Sequence, residues 1–227
     1  MRRFPSRLAV IALAAALGGC ASKKTVEMKM AVDVVSDPEG AAVTYKGKTI
    51  GETPKSFEVS TFDDVASITA SKADLDIVEK RIRILSPEKA IVMFRLGKGG
   101  ISPVAKRLSL TRVLVFEYAE KVCFDSAKAD LKPDALPVLA RQAEILNQYF
   151  PNSQVYVCGY TDSTGSDAFN DKLSLQRAET VRSLLVNKGV DPARLKTQGF
   201  GKQFEVAPNT TPEGRALNRR TEVILPD

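Results

Sequence analysis

Residues 155–185 read VYVCGYTDSTGSDAFNDKLSLQRAETVRSLL and predict a strand, a polar loop and a helix in succession. The apolar run 155–158 has the length of a buried strand and is closed by Gly159. After the loop, five residues recur at helical spacing and share one face: Leu173, Arg177, Val181, Leu184 and Leu185. Arg177 is a permanent cation on this otherwise apolar face, and a buried charge needs a partner. The pattern therefore predicts an anion close to Arg177.

Asp162, on the loop just beyond the strand, is the nearest candidate for that anion. Two alternatives follow. The pair forms an internal salt bridge that pins the loop to the helix, and spacing alone favours this alternative. Otherwise the pair stays exposed and receives a zwitterion, with the arginine binding a carboxylate and the aspartate binding an ammonium group.

The segment TDSTGSDAFNDKLSLQRAETV resembles the signature of the OmpA-like peptidoglycan-binding domain, which also occurs in peptidoglycan-associated lipoproteins. The similarity includes VCFDSAKADLKPDALPVL before it and GFGKQFEVAPNTTPEGRALNRRTEVIL after it. Several separated motifs in the right order, over about half of the chain, are more specific than one short pattern.

The resemblance implies a binding site for the diaminopimelate side chain of the peptidoglycan stem peptide. It assigns the grip to Asp162 and Arg177, loop contacts to Thr164 and Asn170, and a second arginine near the same carboxylates to Arg220. Many members of the family have histidine where this chain has Tyr160, so no role is carried over to that ring. The long loop 201–219 supports the site in the family, although Asn209, Arg215 and Asn218 are equally typical of hydrogen bonding within a loop.

Residues 1–19 have the pattern of a secretion signal, with a basic start and an apolar stretch too short to span a bilayer. The segment ends in LGGC at Cys20, which resembles the bacterial lipobox, so we expect Cys20 to be acylated. The alternative is an ordinary signal peptide with a chance cysteine. No aspartate follows the cysteine, and by the usual sorting rule the lipoprotein would be anchored in the outer membrane, facing the periplasm. Residues 20–30 are then the lipidated cysteine and a short polar tether.

Composition argues against other classes of function. The formal net charge of +6 includes Arg2, Arg3 and Arg7, so the remaining chain is only +3, and no basic run suggests nucleic acid. Histidine is absent, which removes the commonest catalytic base and metal ligand. No phosphate-binding loop or nucleophile elbow is present. We therefore expect neither enzyme activity nor a cofactor nor a metal.

Residues 31–96 predict a small β module, with strands at 31–36, 42–45, 48–50, 57–59, 66–70, 77–85 and 90–96. Lys46–Gly47 has the pattern of a hairpin turn, and in the last two strands Ile82, Ile84, Ile91 and Met93 alternate with polar or outward-facing residues. Within it, SDPEGAAVTYKGKTIGETP resembles the PEGA motif, a β-sandwich repeat of bacterial surface proteins. The module is either a spacer or a face that binds envelope proteins. Residues 97–117 are a linker by composition, although the apolar run 110–116 is strand-like and belongs to no obvious domain.

The C-terminal domain, residues 118–227, predicts strands at 122–124, 155–158, 195–200 and 221–225, with a helix after each of the first two. The order β-α-β-α-β-β indicates a mixed sheet with its helices on one face. The overall class is therefore α+β, a small β-sandwich followed by an OmpA-like domain. Cys123 and Cys158 fall on two predicted strands of an exported chain, where they form a disulfide or remain buried thiols.

The predicted function is non-covalent binding of peptidoglycan by an outer-membrane lipoprotein, which anchors the membrane to the wall. The alternative is a wall-anchored component of a larger secretion or motility complex.

Overall fold

A long mixed sheet runs through both halves of the chain in the computed structural model, which describes residues 25–98 and 101–226. Its strands, with those of a smaller sheet, are β1 Glu27–Asp37, β2 Ala42–Tyr45, β3 Lys48–Glu52, β4 Lys55–Thr61, β5 Thr69–Ser71, β6 Asp76–Ser86, β7 Lys89–Gly97, β8 Val113–Ala119, β9 Val155–Tyr160, β10 Leu195–Gly199 and β11 Arg220–Pro226. The helices are α1 Phe62–Ser67, α2 Pro103–Arg107, α3 Glu120–Cys123, α4 Ala135–Tyr149, α5 Asp167–Asn187 and α6 Pro212–Asn218.

The large sheet has the order β10-β9-β11-β8-β6-β7-β1-β4, and β3-β2-β5 form the smaller sheet. The two predicted modules meet where β6 pairs in parallel with β8, from Glu79 opposite Val113 to Ile84 opposite Tyr118. The predicted linker 97–117 therefore does not interrupt the sheet, because it contains α2 and most of β8. The strand-like run that the sequence left without a domain is the strand that joins the halves.

The first face of the large sheet carries the main apolar core. Helices α4 and α5 cover it with side chains that meet the inward residues of β8, β9 and β11. The same core extends to Val43 of β2 and Ala70 of β5, so the small sheet packs against it. The two long helices lie on one face as predicted, with the order β8-α4-β9-α5-β10-β11.

The second face is covered by the short helix α2 and carries a smaller apolar cluster. Beside that cluster lies a network of buried charges. Arg81 of β6 bonds to Glu117 of β8 and to Glu222 of β11, the latter at 2.7 Å. Glu222 also pairs with Arg107 of α2 at 3.2 Å and with Arg220 at 3.0 Å. Ion pairs therefore cross from the N-terminal half to the C-terminal half inside the fold.

Two predictions for the N-terminal module need correction. Residues 66–70 were expected to form a strand, but α1 extends to Ser67, with a capping box at Thr61, before β5 begins. In β7 the buried residues are Ala90, Val92, Phe94 and Leu96 rather than Ile91 and Met93. The hairpin predicted at Lys46–Gly47 is present, and both residues have the positive φ that such a turn requires.

The predicted first strand at 122–124 of the C-terminal domain is also wrong. Cys123 lies in α3, and the first strand is β8. Cys123 and Cys158 are both free and buried. They do not form the disulfide that the sequence left open, because Cys123 belongs to the first-face core and Cys158 to the second-face cluster. Burial raises the pKa of each thiol to about 12, so both stay protonated.

Helix α5 lies very close to the sheet because glycines face it. A Cβ added to Gly159 of β9 would lie 2.0 Å from the carbonyl oxygen of Ser174, and one added to Gly199 of β10 would lie 2.5 Å from the nitrogen of Leu175. No other residue type fits at these two positions without movement of the helix. This close approach fixes the start of α5 against the loop that follows β9.

Helix α4 connects the region of the first described strand to α3. Its C-terminal Tyr149 ring lies 4.6 Å from the ring of Phe62, whose backbone N–H donates to the carbonyl of Val26. At its N-terminus, the backbone N–H of Ala135 donates to the carbonyl of Lys132. The backbone N–H of Lys132 in turn donates to the carbonyl of Cys123 in α3. The first described strand and α3 are thus held at opposite ends of one helix.

Candidate functional site

Asp162 lies on the loop between β9 and α5 and is held there by backbone groups. Its Oδ1 accepts the N–H of Thr164 at 2.8 Å. Asn170, in the first turns of α5, donates to the carbonyl of Thr164 at 3.0 Å and to that of Asp162 at 3.4 Å. Asn170 is buried and Thr164 is exposed. The structure therefore brings three of the predicted site residues together, with Asn170 bracing the loop from beneath.

Arg177 does not contact Asp162, contrary to the prediction of a direct pair. It is 1% exposed, and its Nη2 donates to Oε1 of Glu120 at 2.5 Å. Its Nε donates to the carbonyl of Lys128 at 2.8 Å, and its guanidinium lies 5.0 Å from the ring of Phe124. The expected anion is present, but it comes from α3 rather than from the loop after β9.

Arg219 connects the two acids. Its Nη1 donates to Oδ2 of Asp162 at 2.7 Å and its Nε donates to Oε2 of Glu120 at 2.5 Å. The side chain of Arg219 is 31% exposed, against 10% for Asp162 and 2% for Arg177. The site is thus a chain of alternating charges, Asp162–Arg219–Glu120–Arg177, in which Arg219 is the most accessible member. We call these four residues the charge chain.

The contacts within the charge chain keep Asp162 ionised. Burial by itself raises the pKa of Asp162, but the hydrogen bonds from Arg219 and Thr164 outweigh it, so the pKa lies below its usual value. For Arg219, burial lowers the pKa, and the bonds to Asp162 and Glu120 outweigh it and raise the pKa. At neutral pH the site therefore presents an ionised carboxylate beside a permanent cation.

Arg220 is not at this site, contrary to the prediction. It is 2% exposed, and its guanidinium lies 3.8 Å from the ring of Tyr160 and bonds to Glu222 in the second-face network. Arg219 and Arg220 point in different directions because successive residues at a strand alternate between faces. The second arginine near the carboxylates is therefore Arg219. Tyr160 is itself fully buried and stacks on Phe200.

Residues 201–219, predicted as one long loop, contain the short helix α6 and are held by their own polar side chains. Asn218 accepts from the N–H groups of Val206 and Ala207, and Arg215 donates to the carbonyl of Asn209 at 2.9 Å. Asn209 also accepts the N–H of Ser163 at 3.2 Å, which ties this loop to the loop of Asp162. These bonds support the loop-bonding alternative for all three residues and give Asn209 a part in positioning the site.

Across the described ranges, we find no group of three or more histidine, cysteine or acidic residues arranged to hold a metal ion. Within the same residues, no helix combines the length and apolar character needed to cross a membrane. Cys20 and the predicted signal, residues 1–19, lie outside the described part of the chain.

Glu120 and Arg219 are the site residues that sequence reasoning missed. Arg219 lies one position before the predicted Arg220, and the two side chains point in different directions at the start of β11. Glu120 follows the last residue of β8, and the displaced assignment of the first strand hid its position. The requirement that a buried Arg177 have an anion was the signal that pointed to such an acid.

Residues 123–219 match the model of the OmpA family. The chain therefore carries an OmpA-family segment in its C-terminal half, and this segment contains α4, β9, α5, β10 and α6. The match begins inside α3 and ends at Arg219, so it includes three members of the charge chain and leaves Glu120 just outside.

Among similar proteins is the probable lipoprotein YiaD of Escherichia coli (strain K12), which is 45% identical over 112 residues, or 49% of this chain and 51% of YiaD. The peptidoglycan-binding protein ArfA of Mycobacterium bovis is 41% identical over 104 residues, which cover 46% of this chain and 32% of ArfA. The chain thus spans about half or less of the length of these relatives.

A solved structure, the peptidoglycan-associated lipoprotein from Burkholderia pseudomallei, is similar over 46% of this chain and 87% of its own, with 29% identity and a TM-score of 0.43.

Proposed function

We propose that this protein binds peptidoglycan non-covalently and anchors the outer membrane to the cell wall. The observation that supports it is the charge chain, where an ionised Asp162 lies 2.7 Å from a partly exposed arginine. A carboxylate beside a guanidinium is complementary to an amino acid's ammonium and carboxylate groups. The similarity to a protein named for peptidoglycan binding favours the wall as the source of that zwitterion.

The ligand in this proposal is the free amino-acid end of diaminopimelate in the stem peptide. Asp162 receives its ammonium group, and the arginines of the charge chain receive its carboxylate. Thr164 lies at the exposed rim, while Asn170 holds the loop from beneath. No bond is made or broken, so recognition needs no catalytic group.

The attachment to the membrane rests on the sequence. Acylation of Cys20 would give stable anchoring because each buried methylene adds ~0.8 kcal/mol. The protein would then face the periplasm from the outer membrane. The similarity to a probable lipoprotein supports this arrangement.

Retention on purified sacculi tests the proposed site. We expect Asp162→Asn to abolish retention, because the amide keeps the side chain's size and loses the charge that holds an ammonium group. Asp167→Asn is the matched control, since Asp167 is an exposed acid in the first turn of α5 that pairs with Lys202. Equal retention of Asp162→Asn and wild type would rule the site out.

In the alternative function, the protein is a component of a larger secretion or motility complex and attaches that complex to the wall through the same site. It makes the same prediction for sacculi and adds a protein partner, which would bind through the N-terminal half. Co-purification from crosslinked cells separates the two functions. A stoichiometric partner that is retained by the Asp162→Asn variant would favour the complex.

A further inference from the structure

Two arginines from distant parts of the chain converge on the carboxylate of Glu120. Arg177, from the middle of α5, donates to Oε1, and Arg219, just before β11, donates to Oε2. Each oxygen of the carboxylate thus receives its own guanidinium donor at 2.5 Å. This is the arrangement with which proteins bind carboxylate ligands, since planar guanidinium groups match carboxylate geometry.

Glu120 is also beside the position proposed for the ligand's ammonium group. Arg219 bonds to Glu120 through Nε and to Asp162 through Nη1, so one guanidinium separates the two acids. The backbone N–H of Glu120 donates to the carbonyl of Arg219 at 2.9 Å, which fixes the start of α3 at this place. Glu120 is nearly buried at 8% exposure, and its neighbour Arg219, whose side chain is 31% exposed, lies between it and solvent.

We propose that Glu120 is an internal competitor that occupies the carboxylate position of the site in the free protein. This inference rests on the proposed function, because it concerns the carboxylate of the same ligand. Binding turns the Glu120 side chain out to solvent, and the ligand's carboxylate takes its place between Arg177 and Arg219. Neither arginine is left unpaired by the exchange, which avoids the cost of a buried charge without a partner.

A competing Glu120 and a purely structural Glu120 predict opposite changes in ligand affinity when the Glu120 charge is removed. If the Glu120 carboxylate only holds the two arginines in place, its removal loosens them and lowers the affinity for the ligand. If the carboxylate competes with the ligand, its removal frees both arginines and raises that affinity. Glu120→Gln decides between these outcomes, because glutamine keeps the size and one acceptor oxygen and removes the charge.

The first experiment measures binding of free meso-diaminopimelate to the full chain by calorimetry. We expect Glu120→Gln to lower Kd by about fivefold or more, the range of a typical coupling between competing states. Glu179→Gln is the control, since Glu179 is an exposed acid on α5, two positions after Arg177. An unchanged or raised Kd for folded Glu120→Gln would overturn the proposal.

The second experiment asks whether the two arginines accept an external carboxylate. We expect Glu120→Ala to lower the thermal midpoint, and acetate to restore it more than chloride at equal ionic strength does. Wild type and Glu179→Ala should show no such preference for acetate. An equal response of all three proteins to the two anions would contradict the competitor role.

These outcomes separate the inference from the function on which it rests. Failure of wild type to be retained on sacculi rejects wall binding, whereas acetate rescue reports on the two arginines without any wall ligand. If Glu120→Ala does not fold, the isosteric Glu120→Gln variant still decides the sign of the binding effect. If neither wild type nor Glu120→Gln binds meso-diaminopimelate, both the function and the inference fail.

Discussion

Single side chains at the site show where the sequence is informative and where it is not. The loop of Asp162 was predictable, because a polar stretch between an apolar run and a helical stripe places an acid at the end of a strand. The need of Arg177 for an anion was predictable from its place on an apolar face. The identity of that anion was not, because Glu120 is 57 residues away and only the fold brings the two together.

Under the proposed function, the pKa of Asp162 sets how binding to the wall depends on pH. A carboxyl group whose pKa is lower in the folded state than in the unfolded state stabilises the fold at pH values above its unfolded-state pKa. That stabilisation is lost as the pH falls through the folded-state pKa. Asp162 behaves in this way, since the bonds from Arg219 and Thr164 outweigh the opposing effect of burial on its pKa.

We therefore expect retention on sacculi to be equal at pH 7 and pH 5 and to decline only below about pH 4, the ordinary value for aspartate. Pelleting assays between pH 3 and pH 7, with circular dichroism to follow folding, provide the measurement. The chain has no histidine that could titrate in between. A midpoint between pH 5 and pH 7 would show that Asp162 is not the acid that controls binding.

Most helices and strands followed from local patterns, and the exceptions have a common cause. Helix α5 ends at Asn187, and Gly189 has the positive φ expected after a helix C-terminus. The face of β7 was predicted wrongly because both of its alternating sets contain apolar residues. The charges of β6 were expected to face outward, and Arg81 is buried because acids on β8 and β11 complement it. Such partners cannot be recognised from one strand alone.

The close contact between β9 and α5 gives a prediction for this pair of elements. We expect Gly159→Ala to lower the free energy of unfolding by at least ~1–3 kcal/mol, because the added methyl group overlaps a backbone carbonyl that cannot turn aside. Gly97→Ala in β7 is the control, since its nearest neighbour would lie at an ordinary 3.8 Å. Urea unfolding compares the two variants. A Gly159→Ala protein as stable as Gly97→Ala would mean that α5 can shift away from the sheet at little cost.

At the scale of the whole molecule, the N-terminal half continues the sheet of the C-terminal half. The sequence predicted a separate module and a linker, because residues 97–103 are rich in glycine and end in proline. Composition describes the flexibility of a segment but not the pairing of the strands on either side of it. The parallel pairing of β6 with β8 and the buried ion pairs across it depend on contacts between distant residues.

This continuity predicts that the two halves unfold together. Glu222 is shared by Arg81, Arg107 and Arg220, so Glu222→Ala leaves three buried cations without that acid. We expect a loss of roughly 3–5 kcal/mol in the free energy of unfolding, as when one partner of a buried ion pair is removed. Glu144→Ala, an exposed acid on α4, should change the stability little.

Hydrogen exchange measures the loss in each half separately. The amides of β6 and β11 should lose protection by the same amount in the Glu222→Ala protein. A loss confined to β11, with β6 as protected as in wild type, would show that the halves are independent.

Helix α4 also sets a length. It joins α3, which carries Glu120, to the packing around Phe62 and Val26, and its 15 residues span about 22 Å at 1.5 Å per residue. If the lipid is attached at Cys20, the folded part of the protein bridges about one helix length between the membrane side and the wall. Any wider gap between the two surfaces must then be crossed by the chain that precedes Val26, or closed by drawing the surfaces together.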